Sequence, residues 1–212
     1  MTPEDSAGSA HSEGSAGSES VDACLLKNAL RRSILAARDA IPAEDRARHS
    51  RDVCDRASCL PELAGAGTLM LFAAFRTEVD TAPLIAWALG EGKTVCLPRV
   101  LGPRHMAAFR IVDVKVDLVP GAWGIPEPRT TQEEVPPGVV DAVVVPGAVF
   151  DVEGRRCGYG GGFYDNYLPL TRPGVPWVAL AFDAQVVDML PCEPHDLAVG
   201  TIVTETRVIR TG

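Results

Sequence analysis

Residues 141–150, DAVVVPGAVF, read as a buried strand beginning at Asp141, and they lead into GRRCGYGGGFYDNYL at 154–168. A strand, a loop with four glycines in five residues and a helix start in succession place that loop at the carboxyl end of an α/β sheet, where such folds bind ligands. Glycines 158, 160, 161 and 162 carry no Cβ, so main-chain N–H groups can close around phosphate oxygens. Two familiar phosphate loops are excluded. GxxxxGK[ST] needs a lysine that does not follow here, and GxGxxG fails because Phe163 stands where its last glycine would.

The rest of the chain supplies the sheet. Leu26, Leu30 and Ile34 recur every four residues, a helical face running from Asp22 to about Asp39. Ile41-Pro42 ends it, and Pro42 opens a second helix through about Ser58. TLMLFAAF (68–75) reads as a buried strand, TAPLIAWALG (81–90) as a helix, TVCLP (94–98) and HMAAFRIV (105–112) as strands. WVALAF (177–182) and TIVTE (201–205) are the final strands expected. Alternation of this kind predicts an open, largely parallel α/β sheet flanked by helices, in a single domain over 22–212.

Residues 1–21, rich in Ser, Gly, Ala and Glu, hold too little apolar surface to offset chain entropy and are expected to be a disordered tail. Five acids and no Lys or Arg lie in residues 1–22, so of the net charge of −8 the body keeps only −3. That near-neutral body argues against a nucleic-acid partner. No apolar run is long enough to span a bilayer and no secretory signal opens the chain, so no membrane association and a cytoplasmic location are expected. The six cysteines include no CxxC pair and form no zinc spacing with the four histidines. They read as small buried hydrophobes.

Lys27, Arg31 and Arg38 share one helical stripe beside the apolar face, at solvent or at the rim of a cleft. Asp165, just after Phe163-Tyr164, could cap the helix that starts there. It could instead hold Mg²⁺, which takes one or two carboxylates together with phosphate oxygens and waters.

These features together resemble the 5-formyltetrahydrofolate cyclo-ligase family. The matching segments are KNALR (27–31), FRTEVDT (75–81), TVCLPRV (94–100), WGIPEP (123–128), PGAVFDVEGRRCGYGGGFYDNYL (146–168) and the His195-Asp196 pair, in the family's order. The resemblance implies ATP- and Mg²⁺-dependent closure of 5-formyltetrahydrofolate, polyglutamylated or not, to 5,10-methenyltetrahydrofolate, with ADP and phosphate released. It implies ATP contacts from Lys27, Asn28, Ala29, Leu30 and Arg31 and from Arg156, Cys157, Gly158, Tyr159, Gly160, Gly161, Gly162, Phe163 and Tyr164. It implies folate contacts from Arg31, Ala73, Glu78, Tyr159, Gly160, Gly161, Gly162 and Phe163, and metal contacts from Asp165 and Asp196.

Against the family pattern, Tyr159 and Gly161 stand where some members carry basic residues, Phe163 replaces a common tyrosine, and Cys157 an aliphatic residue. Trp123 is expected to pack the core edge, His195 to lie in a turn, and Arg38 and Arg99 to be structural. A monomer is favoured. The competing readings are a non-catalytic folate or nucleotide binder on the same fold, and a sugar-phosphate isomerase or CoA transferase on an α/β scaffold.

Overall fold

The computed structural model describes residues 16–191 and 196–211, with side chains from residue 25 onward. Its helices are α1 (Ala16–Asp39), α2 (Ala43–Ser58), α3 (Pro61–Ala64), α4 (Ala82–Gly90), α5 (Val114–Asp117) and α6 (Phe163–Tyr167). The first strands are β1 (Thr68–Met70), β2 (Thr94–Gly102), β3 (His105–Ile111), β4 (Leu118–Pro120), β5 (Pro126–Pro128), β6 (Glu134–Val135) and β7 (Ala142–Val145). The later ones are β8 (Val149–Asp151), β9 (Arg156–Cys157), β10 (Trp177–Leu180), β11 (Val186–Val187), β12 (Thr201–Val203) and β13 (Val208–Arg210).

The main sheet has the order β13-β12-β10-β7-β1-β2-β3-β6. Its central strands β12, β10, β7, β1 and β2 run parallel, while β13, β3 and β6 join antiparallel at the edges. The expected parallel sheet is therefore the interior of a mixed one. β3 folds straight back antiparallel on β2 because only Pro103 and Arg104 separate them, too few residues for a helical crossover.

Side chains alternate across the central strands, as the two-residue period of a strand requires. Leu69, Val95, Leu97, Val144, Val178 and Leu180 face α2 and α4, meeting Val53, Ala57, Leu84 and Ile85. Met70, Cys96, Val143, Val145, Ala179 and Ile202 face the other way, under Phe150, Tyr167 and Leu168. Helix α4 has the all-round apolar character of a helix seated on a sheet, with Leu84, Ile85 and Ala88 buried.

Two expectations about strands are corrected. DAVVVPGAVF is not one strand: Pro146, which has no N–H to give a ladder, ends β7, and β8 begins in a second sheet of order β11-β8-β9. The Gly-rich loop thus leaves the short hairpin β8–β9, where Val149 opposes Cys157, and not the parallel strand itself. TLMLFAAF keeps strand geometry only through Met70, and the chain from Leu71 onward leaves the sheet to form a wall of the cavity described below.

Helix α1 is described from Ala16, ahead of the onset expected at Asp22. The rest of the expected tail, residues 1–15, lies outside the described residues, as does His195. The apolar face of α1 docks on the second sheet through Leu30, Ile34 and Leu35, against Ala148, Val149, Cys157 and Leu190. Leu26, expected on that face, is 60 % exposed. Among the cysteines whose side chains are described, Cys54, Cys96 and Cys157 are buried but Cys59 is exposed. Burial pushes the Cys54 and Cys96 thiols up to about 12, which leaves them protonated packing groups.

Candidate active site

Docking of α1 on the β8–β9 sheet carries its cations to the start of the Gly-rich loop. Arg31 donates from Nε to the main-chain carbonyl of Gly158 at 2.7 Å, and from Nη1 to Asn28 Oδ1 at 2.6 Å. One turn earlier, Lys27 Nζ pairs with Asp196 Oδ2 at 2.6 Å, both side chains largely buried. The Arg156 guanidinium, on β9, binds Asp165 Oδ1 at the start of α6 and also feels the charge of Asp196. Lys27, Arg31, Arg156, Asp165 and Asp196 therefore gather around one loop, although they come from four separated segments of the chain.

The charges within this cluster are unevenly satisfied. Only 4 % of the Arg156 side chain is exposed, while Asp165 remains nearly half exposed. Burial holds the Arg156 guanidinium below its usual range, opposed chiefly by Asp165. Its Nε–H is buried without a hydrogen-bond acceptor among the described residues. A buried, unmatched cationic donor beside glycine backbone fits an anionic oxygen better than any protein group present.

On its other face the same loop closes a cavity of about 570 Å³, a size suited to a small-molecule ligand. Phe72, Ala73, Pro98, Val100, Met106, Ile125, Pro126 and Pro146 give it apolar walls. Gly158, Tyr159, Gly161, Gly162, Phe163 and Tyr164 from the loop and helix start complete them. Gly162 takes φ +66, a left-handed conformation that favours glycine, and the Arg104 guanidinium lies against it, 3.1 Å from where a Cβ would stand.

Glu78, like Glu127, is a buried carboxylate of the cavity wall. Its Oε2 accepts the Phe75 N–H at 2.8 Å, and the Tyr159 hydroxyl lies within hydrogen-bonding reach. Burial pushes its carboxyl above the usual range, with Tyr159, the Phe75 N–H and Arg38 working in the opposite direction. Arg38, 2 % exposed, donates from Nη1 to Tyr159 Oη at 2.6 Å and from Nε to Thr77 Oγ1 at 3.0 Å. The helical stripe thus divides: Lys27 and Arg31 meet the charged cluster, and Arg38 is sunk behind the cavity. Arg99 binds the Pro128 carbonyl at 2.5 Å and sits 3.7 Å from Glu127, so it braces the β5 wall.

Leu30 packs into the core, and Ala29 lines a separate shallow depression with Leu26, Ser33 and Pro191. Cys157 is likewise a packing residue under α1. Gly160, at φ +93, is not among the cavity-lining residues. Trp123 does not pack the core edge. It is 66 % exposed, in a left-handed conformation at φ 56, and meets Phe163 edge-to-face at 5.7 Å over the cavity.

Arg76, Arg104 and Glu127 went unremarked in the sequence, where nothing in their spacing marks them out. WGIPEP is the only signal that could have drawn attention to Glu127. The Tyr164 hydroxyl is buried without a hydrogen-bond partner among the described residues, and burial raises its pKa.

Comparison with known proteins places this arrangement. Residues 25–205 match the family model described as the 5-formyltetrahydrofolate cyclo-ligase family. A 5-formyltetrahydrofolate cyclo-ligase of Escherichia coli is 32% identical over 179 residues, covering 81% of this chain and 96% of that protein. That of Mus musculus is 28% identical over 189 residues, covering 84% and 93% respectively. Among solved structures, the 5,10-methenyltetrahydrofolate synthetase of Aquifex aeolicus superposes with a TM-score of 0.79 at 36% identity, covering 88% of this chain and 93% of that one.

Proposed function

The chain belongs to the 5-formyltetrahydrofolate cyclo-ligase family, and from that premise we propose that it closes 5-formyltetrahydrofolate to 5,10-methenyltetrahydrofolate at the expense of ATP, with Mg²⁺. That it is a folate-cyclising ligase follows from its family. The use of ATP and metal, and the roles of individual residues, are our reading of the site.

The observation that carries this reading is the two-faced Gly-rich loop, with a gathered set of cations and carboxylates on one side and an apolar cavity holding Glu78 on the other. A nucleotide phosphate chain suits the first. Lys27, Arg31 and the unmatched Arg156 Nε–H are its cationic partners, and the glycine main chain lets N–H groups approach. Asp165 and Asp196, both acting on the Arg156 guanidinium, are the carboxylates to share a Mg²⁺ ion with phosphate oxygens. Such an ion supplies neutralisation of phosphate charge. Lys27 and Arg156, now paired with those acids, would turn to phosphate as the metal takes the carboxylates.

A reduced pterin suits the cavity, with Glu78 accepting its N–H groups and Ala73, Tyr159, Gly161, Gly162 and Phe163 around it. A formamide carbon is a weak electrophile and its oxygen a poor leaving group. Transfer of the terminal phosphoryl group to the formyl oxygen answers both. N10 then attacks the formyl carbon and gives up its proton, and the carbon–oxygen bond breaks. Phosphate leaves with the former formyl oxygen, and the two nitrogens share the methenyl bridge. The protein's part is to align the two reactants and hold charge, which is worth about 7–11 kcal/mol of barrier in well-oriented systems. No side-chain nucleophile is required.

The test is direct: protein, 5-formyltetrahydrofolate, Mg²⁺ and ATP are incubated and methenyl absorbance is followed at acidic pH. An ATP-dependent rise is expected. Its absence with folded protein overturns the reading in favour of a non-catalytic binder.

A further inference from the structure

Four charged residues line the cavity: Arg76, Glu78, Glu127 and Arg156. Three have partners. Glu127 faces Arg99, Arg156 binds Asp165, and Glu78 is held by the Phe75 N–H and Tyr159. Arg76 alone among them has no acidic partner and no hydrogen bond among the described residues. Its guanidinium is exposed and lies 4.8 Å over the ring of its neighbour Phe75.

The backbone adds a second, independent observation. Arg76 adopts φ 54, in the left-handed region that residues with a side chain rarely enter. Strain of this kind persists where surrounding structure imposes it, and it gathers at ligand sites. Here it turns the chain between the exposed Arg76 and Glu78, which is 8 % exposed at the cavity wall two residues later. The turn thus sets a cation at the mouth and a carboxylate in the interior, with apolar walls between.

We propose that Arg76 is a specificity residue that pairs with the carboxylates of the substrate's glutamate tail and favours longer tails. The inference rests on the folate reading above. A folate has a polar bicycle at one end, an aromatic linker, and an anionic glutamate at the other, and each added γ-linked glutamate contributes one more carboxylate. With the bicycle at Glu78 and the linker between the apolar walls, the tail leaves the cavity past Arg76.

The test measures affinities without nucleotide, by titration calorimetry with the mono- and triglutamate forms of 5-formyltetrahydrofolate. Wild type should bind the triglutamate more tightly. Arg76→Gln should lose that preference, weakening triglutamate binding by about two- to fivefold, the range of an exposed ion pair. Arg76→Lys should keep most of it, and 0.5 M salt should erase the difference between wild type and Arg76→Gln.

An unchanged mono-to-triglutamate ratio in Arg76→Gln overturns the proposal. Turnover separates the two readings. Tail-dependent binding without turnover in either protein would sink the cyclo-ligase reading and leave this one standing, whereas no folate binding by wild type would sink both.

Discussion

Arg31 Nε donates to the carbonyl of Gly158 at 2.7 Å, joining two residues 127 positions apart in the chain. The bond fixes where the Gly-rich loop begins, and Asn28 fixes the rotamer that makes it. Lysine cannot reproduce this fork. Arg31→Lys should therefore raise the KM for ATP by about tenfold, the worth of one charge-assisted hydrogen bond, with a smaller change for folate. Steady-state kinetics with each substrate varied checks it, and an unchanged KM for ATP would make Arg31 a packing residue.

Asp165 is half exposed yet tied to a buried arginine, an arrangement with little purpose for a helix cap. The structure gives α6 no side-chain cap hydrogen bond at its start. Asp165→Asn should raise the Mg²⁺ concentration for half-maximal turnover by at least about tenfold, and should also lower the melting temperature because the buried Arg156 guanidinium loses its counter-charge. If the metal requirement does not move, the carboxylate serves only Arg156.

Glu78 sets the expected pH dependence. Burial lifts its carboxyl above the ordinary range, so it gains a proton earlier than an exposed glutamate as pH falls. Only the ionised form accepts N–H bonds at both oxygens, so folate affinity should drop as pH goes from neutral into the acid range. Glu78→Gln should bind folate weakly at every pH and flatten that profile. The same raised pKa means that ionised Glu78 costs folding energy at neutral pH, so the glutamine variant should be no less stable there. Folate titrations across pH, with thermal melts beside them, test both halves.

Gly154 governs the β8–β9 hairpin that presents the loop. At φ +84 it is left-handed, and an added Cβ would overlap the main-chain carbonyl of Val199, which cannot swing aside. Gly154→Ala should cost about 2 kcal/mol or more, roughly 4–8 °C in Tm for a chain of this size. A melt within a degree of wild type would contradict the geometry.

Much of the fold was legible because helix and strand periods are local. Pro42, Ala82–Gly90 and the central strands stand where the pattern placed them. What failed was also local, and each failure has a cause. Pro146 cut one apolar run into strands of two sheets, Leu26 was left outside the face its spacing suggested, and Cys59 lies in the open. In the site, the glycines and the α1 cations were visible as motifs. Arg38 was legible only as a charge on a stripe, since complete burial against Tyr159 is a property of how α1 docks. Arg76 and Trp123 gave no sign of their left-handed backbones, because φ at a non-glycine is imposed by the loop around it.

The sequence alone determined the order and type of the main elements, the glycine loop and its family, because hydrophobic period and motif spacing are written along the chain. Tertiary structure alone decided that Lys27 meets Asp196 across 169 residues. It alone set Arg76 in the cavity lining without an acidic partner among the described residues. Those outcomes depend on how separate segments dock, and no local pattern encodes the distance between side chains that meet only once the core has formed.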